Sequence, residues 1–240
     1  MKTLVFVHGF LGGSKIWNDQ VAAFSKQFNV VTPELPGFGT AWDQHCPDRI
    51  EAFAEHILGH LDEAGIDEFM LVGHSMGGMI VQEMAARAPK RINRLVLYGT
   101  GPVGMLPGRF EPIEESRRRV REEGPEATVR RTVTTWFMQG VDASKFGLCM
   151  ELGSKASVQA VLAGLSAMEA WDGRAALPGI SQPTLVLWGD SDRSYLWSQP
   201  EALWQGITGA ELAVVPGCAH NVHLEKPFIF NALLDDFLCR

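Results

Sequence analysis

Phe69-Met70-Leu71-Val72-Gly73-His74-Ser75-Met76-Gly77-Gly78 joins a strand signal to a helix signal through a single serine. Phe69 to Val72 is a continuous apolar run, the pattern of a strand buried on both faces of a parallel sheet. After Gly78 the apolar residues Met79, Ile80, Met84, Ala85 and Ala88 recur at helical spacing until Pro89 stops them. Between the two lies G-x-S-x-G. A serine at such a turn sits in a strained backbone, and the flanking glycines leave room where strand and helix crowd together. The new helix points its N-terminal N–H groups and positive dipole end at the place where an oxyanion would form. The bare motif occurs often by chance. Set between a buried strand and a helix, it singles out Ser75 as a nucleophile.

Composition bounds the rest. The 240 residues suffice for a sizeable core, and one α/β domain of this size is ordinary. With 46% hydrophobic and 20% charged residues the chain reads as globular. The net charge of −7 argues against nucleic acid as a partner and against a basic membrane-binding surface. No run approaches the length of a membrane-spanning helix, and Met1-Lys2-Thr3-Leu4 enters a strand with no signal-peptide pattern. Cys46, Cys149, Cys218 and Cys239 lack metal or redox spacing. They are expected to be reduced thiols of a cytoplasmic protein that holds no metal.

Working outward, Thr3 to Val7 is a buried strand that runs into His8-Gly9-Phe10-Leu11-Gly12-Gly13. Glycine-rich chain after a strand lets backbone N–H groups face a ligand. The Phe10 and Met76 N–H groups are therefore expected as the two halves of an oxyanion hole. His8, straight off a strand, is expected to bond loop backbone. Ile16 to Phe28 has the spacing of a helix, Asn29 to Thr32 that of a strand, and Asp48 can cap a helix running to about Ala64. Glu34, at a strand end in a rigid Pro-Gly loop, is expected to bond nearby backbone. Ile92 to Tyr98 is another buried strand.

From Pro102 to Pro178 the rhythm changes: no strand is evident, and Pro102, Pro107, Pro112 and Pro125 divide the chain into short helical pieces. Arg117, Arg118, Arg119, Arg121, Arg130 and Arg131 alternate with Glu114, Glu115, Glu122, Glu123 and Glu126, as on a solvated, ion-paired helix face. Apolar residues from Val133 to Trp171 need a surface to cover. The segment is expected as a helical cap over the C-terminal strand ends, where ligands bind in open α/β sheets. Of the alternatives, the plainest is a helical insertion with its own small core. Alternation resumes with strands at Thr184 to Trp188 and Glu211 to Val215, and a final helix from Lys226 to Leu238. The pattern predicts a mostly parallel sheet flanked by helices.

A serine needs a base, and the base an orienting acid. Later strand ends offer His220 as base, with His223 nearer the helix and expected to stand behind it or at the surface. Asp190 or Asp192 can face the imidazole, the other bonding loop backbone.

These motifs together resemble the α/β-hydrolase superfamily, in the branch of small esterases, enol-lactonases and cofactor-free haloperoxidases. The resemblance covers nearly the whole chain: H-G-F-L-G-G at His8, E-L-P-G-F-G at Glu34, G-H-S-M-G-G at Gly73, W-G-D-S-D at Trp188 and G-C-A-H-N-V-H-L-E-K-P at Gly217. It implies a triad of Ser75, Asp192 and His220, with no cofactor. It also implies an α/β-hydrolase core of residues 1–101 and 179–240, and a cap of 102–178 inserted after the family's sixth strand. The usual N-terminal hairpin would be missing. Glu34 stands where the family usually has aspartate. His74 before the serine differs from the asparagine of many C–C hydrolases, and Met79 from the arginine of the synthase-lyases. The expected activity is hydrolysis of a small to medium carboxylic ester or lactone through an acyl-enzyme. Phe10, Trp136, Phe137 and Met138 are expected to line its pocket. The alternatives are a C–C hydrolase or synthase-lyase on the same residues, or a receptor that binds without turnover.

Overall fold

The continuous apolar runs become strands covered on both faces. In the computed structural model, which describes residues 1–105 and 108–240, these are β1 (Thr3–Val7), β2 (Asn29–Val31), β3 (Phe69–His74), β4 (Ile92–Tyr98), β5 (Thr184–Gly189) and β6 (Glu211–Val215). They form one parallel sheet in the order β2-β1-β3-β4-β5-β6. Every residue of β1, β3 and β5 is buried, whereas the edge strands β2 and β6 are partly exposed.

Strand residues alternate between faces, and the core divides accordingly. Helices α1 (Asn18–Phe24), α2 (Ile50–Glu63) and α3 (Met76–Arg87) precede β4; α4 (Ile113–Glu123), α5 (Pro125–Thr135), α6 (Phe146–Gly153) and α7 (Val158–Ala170) lie between β4 and β5. Further on come α8 (Ser198–Gly206), α9 (Val222–Glu225) and α10 (Pro227–Cys239). Leu4, Phe6, Met70, Val72, Val96 and Tyr98 pack with Phe24 of α1 and Phe230 and Phe237 of α10. Val5, Val7, Leu71, Leu95 and Leu97 pack with Phe53 and Ile57 of α2, Ile80 and Met84 of α3, and Leu203 of α8. Each fully buried aromatic or aliphatic side chain contributes roughly 1.5–3 kcal/mol.

Several boundaries differ from the expected ones. The Ile16 to Phe28 helix is a 3-10 turn over Ser14–Trp17 followed by a short α1, and the Ser25 hydroxyl bonds the Val21 carbonyl just past its end. Asp48 does not cap α2, which starts at Ile50 with Arg49 at the N-cap, one residue too far on for the Asp48 carboxylate. The last helix starts at Pro227 rather than Lys226, whose backbone leaves helical geometry ahead of the proline, and a short α9 precedes it.

Between β4 and β5 the prolines open helices as much as break them: Pro112 stands at the N-cap of α4 and Pro125 at the first position of α5. Pro107 lies outside the described residues. The mixed charges pair at helical spacing, Arg118 with Glu115 and Glu122, Arg119 with Glu115. Such exposed pairs are worth at most about 1 kcal/mol each. Where the segment leaves and rejoins the sheet, Val103 and Asp172 pair in an antiparallel bridge. Val129, Val133, Trp136, Leu165 and Met168 join the same apolar cluster as Val7, Phe10 and Leu97, so these helices have no separate core. Gly164 of α7 lets the helix lie close against this loop: a Cβ there would stand 2.8 Å from the Phe10 ring.

Candidate active site

From β1 the chain moves outward to β2, then returns to β3 on the other side of β1. In open α/β sheets the crevice at such a reversal is where ligands bind. Phe10 follows one of the two strands that flank it and Ser75 the other.

Ser75 has φ 58° and ψ −123°. Leu11 (φ 59°) is the other non-glycine residue with positive φ among those described. Both flank the crevice, and each such backbone costs of order 1–3 kcal/mol that the surroundings must offset. Around Ser75 they do so with its N–H donating to the Tyr98 carbonyl (3.0 Å) and its carbonyl accepting from Gly78 N–H (2.8 Å) and Thr100 Oγ1 (2.8 Å). The elbow also needs close backbone approach. A Cβ on Gly77 would lie 2.4 Å from the Val7 carbonyl oxygen, and one on Gly73 2.4 Å from that of Gly77. Met76 opens α3, so its N–H is one of the orphan donors of a helix start. The Phe10 N–H also donates to no described residue, and beside it the turn is closed by Gly12 N–H to the Gly9 carbonyl (3.1 Å).

His220 sits in the loop after β6. Its Nδ1 is 2.8 Å from Asp192 Oδ2, and both side chains are buried. Asp192 Oδ1 accepts from the N–H groups of Ser194 (2.7 Å) and Tyr195 (3.1 Å), so the carboxylate is held from three sides. Asp190 instead accepts from Gly217 N–H (2.8 Å) and the Ser191 hydroxyl (3.0 Å). Of the two acids, Asp192 faces the imidazole and Asp190 ties the loops together. The His220 carbonyl accepts from the Tyr98 hydroxyl (2.8 Å) and His74 Nε2 (3.2 Å). Burial holds His74 and His223 well below the usual histidine range, which keeps both neutral. His223 is not at the surface: it is fully buried, its Nδ1 2.9 Å from the Tyr98 hydroxyl and its ring 4.5 Å from that of Trp17.

Ser75 and His220 line one cavity of about 10 Å³ with Phe10, Trp136, Cys149 and Asn221. No direct hydrogen bond joins Ser75 Oγ to the imidazole; catalytic bonds of this kind often tighten only when substrate binds. The Tyr195 ring lies nearly parallel to that of His220 (10°, centroids 5.6 Å apart). Nothing in the sequence marks Tyr195 beyond its place three residues after Asp192.

Two of the expected lining residues are elsewhere. Phe137 and Met138 face a groove beside Lys145 and Lys226, Phe137 buried and Met138 exposed. The cause is the path of the backbone after α5. The Trp136 carbonyl accepts from Asn221 N–H (3.1 Å), and Met138 N–H donates to Glu225 Oε1 (2.7 Å) while Glu225 Oε2 accepts from Ala219 N–H (2.7 Å). The chain is thus laid along the histidine loop with only the Trp136 side chain toward the site. Cys149, in the cavity wall, is a thiol that burial pushes up to about 12, and all four cysteines are free.

On the far side of the glycine loop, His8 places Nδ1 2.9 Å from the Gly9 carbonyl, and its Nε2 accepts from Leu35 N–H (3.1 Å). Glu34 accepts from the hydroxyls of Ser14 (2.6 Å) and Thr40 (3.0 Å) rather than from backbone alone. Burial pushes its carboxyl up, but the His8 ring nitrogen 3.5 Å away and the Ser14 hydroxyl outweigh that and lower it to about 2. Among the described residues no cluster of three or more His, Cys, Asp or Glu is arranged to hold a metal ion, and no helix is long and apolar enough to cross a membrane.

The sequence pattern of the α/β hydrolase fold matches residues 2–227. The chain belongs to the α/β-hydrolase family. It is 29% identical over 248 residues to a pimeloyl-[acyl-carrier protein] methyl ester esterase of Nitrosospira multiformis, covering 95% of this chain and 91% of that one. It is 27% identical over 261 residues to a 2-hydroxy-6-oxononadienedioate/2-hydroxy-6-oxononatrienedioate hydrolase of a Pseudomonas species, covering 100% and 88%. Among solved structures, the enol-lactonase of Burkholderia xenovorans LB400 superposes with a TM-score of 0.90 at 26% identity, covering 100% of this chain and 92% of that one. The six-stranded parallel sheet is that of the family.

Proposed function

We propose that this α/β hydrolase cleaves a small to medium carboxylic ester or lactone through an acyl-enzyme on Ser75. The observation that carries the reading is the buried Asp192–His220 pair in the same cavity wall as a serine in a strained elbow. Ser75 Oγ attacks the carbonyl carbon and its proton passes to His220 Nε2. Asp192 holds the imidazole in the needed tautomer and stabilises its cation. The Phe10 and Met76 N–H groups hold the oxyanion, replacing water by preorganised donors. The leaving oxygen takes the proton from His220, and water releases the acyl group. Residues 102–178 act as a cap that closes the cavity over the core and contributes no catalytic group.

The relatives named for esters and lactones support this substrate class. The oxononadienedioate hydrolase, alike over the whole chain, supports a C–C hydrolase on the same residues as the second reading. A fluorophosphonate probe should label Ser75 and nothing in a Ser75→Ala variant. A panel of esters, lactones and vinylogous diketones then separates the readings. Absence of label at Ser75 rejects both.

A further inference from the structure

Asn221 stands at the N-cap of α9, where an asparagine side chain ordinarily bonds the first helical turn. This one makes no capping bond. It is buried and turns into the wall of the cavity shared by Ser75 and His220. There Nδ2 reaches only the Cys149 sulfur, at 3.7 Å, a weak acceptor, and Oδ1 accepts from no described residue. An amide oxygen that is not sealed in by protein can take its hydrogen bond from a water in that space. The cavity beside it, about 10 Å³, has room for about one water molecule.

We propose that this space seats the water that hydrolyses the acyl-enzyme, and that Asn221 positions it; the inference rests on the acyl-enzyme reading above. The water oxygen attacks the acyl carbonyl carbon. One water proton passes to His220 Nε2 while the other is held by Asn221 Oδ1. The tetrahedral intermediate then breaks its bond to Ser75 Oγ, which takes the proton back from His220, and the carboxylic acid leaves with the water oxygen. Trp136, Leu11 and Cys149 line the same space, which the water enters once the leaving alcohol has gone.

The backbone bonds of Asn221, its N–H to Trp136 and its carbonyl from Leu224, do not involve the side chain, so Asn221→Leu leaves them in place. With p-nitrophenyl acetate, kcat should fall about ten- to a hundredfold while kcat/KM, which reports acylation, stays within about threefold. Acetyl-Ser75 should accumulate and be visible by intact mass, and Asn221→Ser should restore part of kcat. Should Asn221→Leu not fold, Cys149→Leu fills the space from the facing wall and should give the same split. An equal fall in kcat and kcat/KM, or no change in either, overturns the water site. Failure of a fluorophosphonate to label wild-type Ser75 overturns the acyl-enzyme reading instead.

Discussion

Ser75 is held almost wholly by backbone: the Tyr98 carbonyl, the Gly78 N–H, and a gap at Gly77 through which Val7 approaches. His220 is held by side chains drawn from five places, Asp192, Tyr98, His74, Tyr195 and Trp136. The nucleophile side stores its geometry in strain and close packing within one strand-turn-helix unit. The histidine side stores it in partners brought together only by the fold. Substitutions on the first side should act through volume and backbone, and on the second through loss of a partner.

The largest expected effect is on chemistry alone. Ser75→Ala should lower the rate by on the order of a millionfold while the elbow, being backbone, stays folded. Activity above about a hundredth of wild type, measured on the best ester of a panel, breaks the assignment.

On the histidine side Asp192→Asn should cost about 10⁴ in kcat, because an amide leaves the imidazole in the wrong tautomer. Asp190→Asn, which touches only Gly217 and Ser191, should cost far less. A reversed ranking in steady-state kinetics would mean that Asp190 orients the imidazole in solution.

Glu34 tests the loop that carries the Phe10 N–H. Its carboxyl lies at about 2 in the folded protein against 4.5 when unfolded. A depressed value means that the native state is favoured above 4.5 and loses this advantage as pH falls toward 2. Urea unfolding from pH 6 to pH 3 should show wild type converging on Glu34→Gln. A constant gap between the two proteins across that range would show that the charge of Glu34 contributes nothing.

The same contrast explains what was legible before the fold was known. β1, β3 and β5 announce themselves because both faces are buried, and Ser75 because strand, glycines and helix are contiguous. β2 is three residues, partly exposed, and is recognisable mainly from its place in the alternation. The order Ser75, Asp192, His220 follows from family resemblance, whereas spacing alone leaves Asp190 open. His223 stays open between the surface and a place behind His220, because its partners Trp17 and Tyr98 are more than a hundred residues away in sequence. Phe137 and Met138 read as pocket because an apolar run does not reveal which way the backbone turns after α5. Cys149 and Asn221 meet only in space.

The last comparison concerns that run, and it separates lining from packing. The Trp136 ring lies 6.0 Å from that of His220 and walls the cavity, while Phe137 is buried elsewhere and Met138 is 42% exposed. Trp136→Ala removes a wall, so longer acyl chains should gain about 1–3 kcal/mol in kcat/KM relative to acetyl. It should also destabilise by about 3–5 kcal/mol, since a large core side chain is lost. Phe137→Ala should destabilise similarly and leave the order of substrates unchanged. Met138→Ala should alter neither, because its structural contribution is a backbone N–H to Glu225 that any residue supplies. Measuring kcat/KM over a graded acyl series beside melting curves for the three variants distinguishes these outcomes. If Phe137→Ala reorders the series and Trp136→Ala does not, the acyl group enters from the Lys145 groove, and the cavity at Ser75 serves water alone.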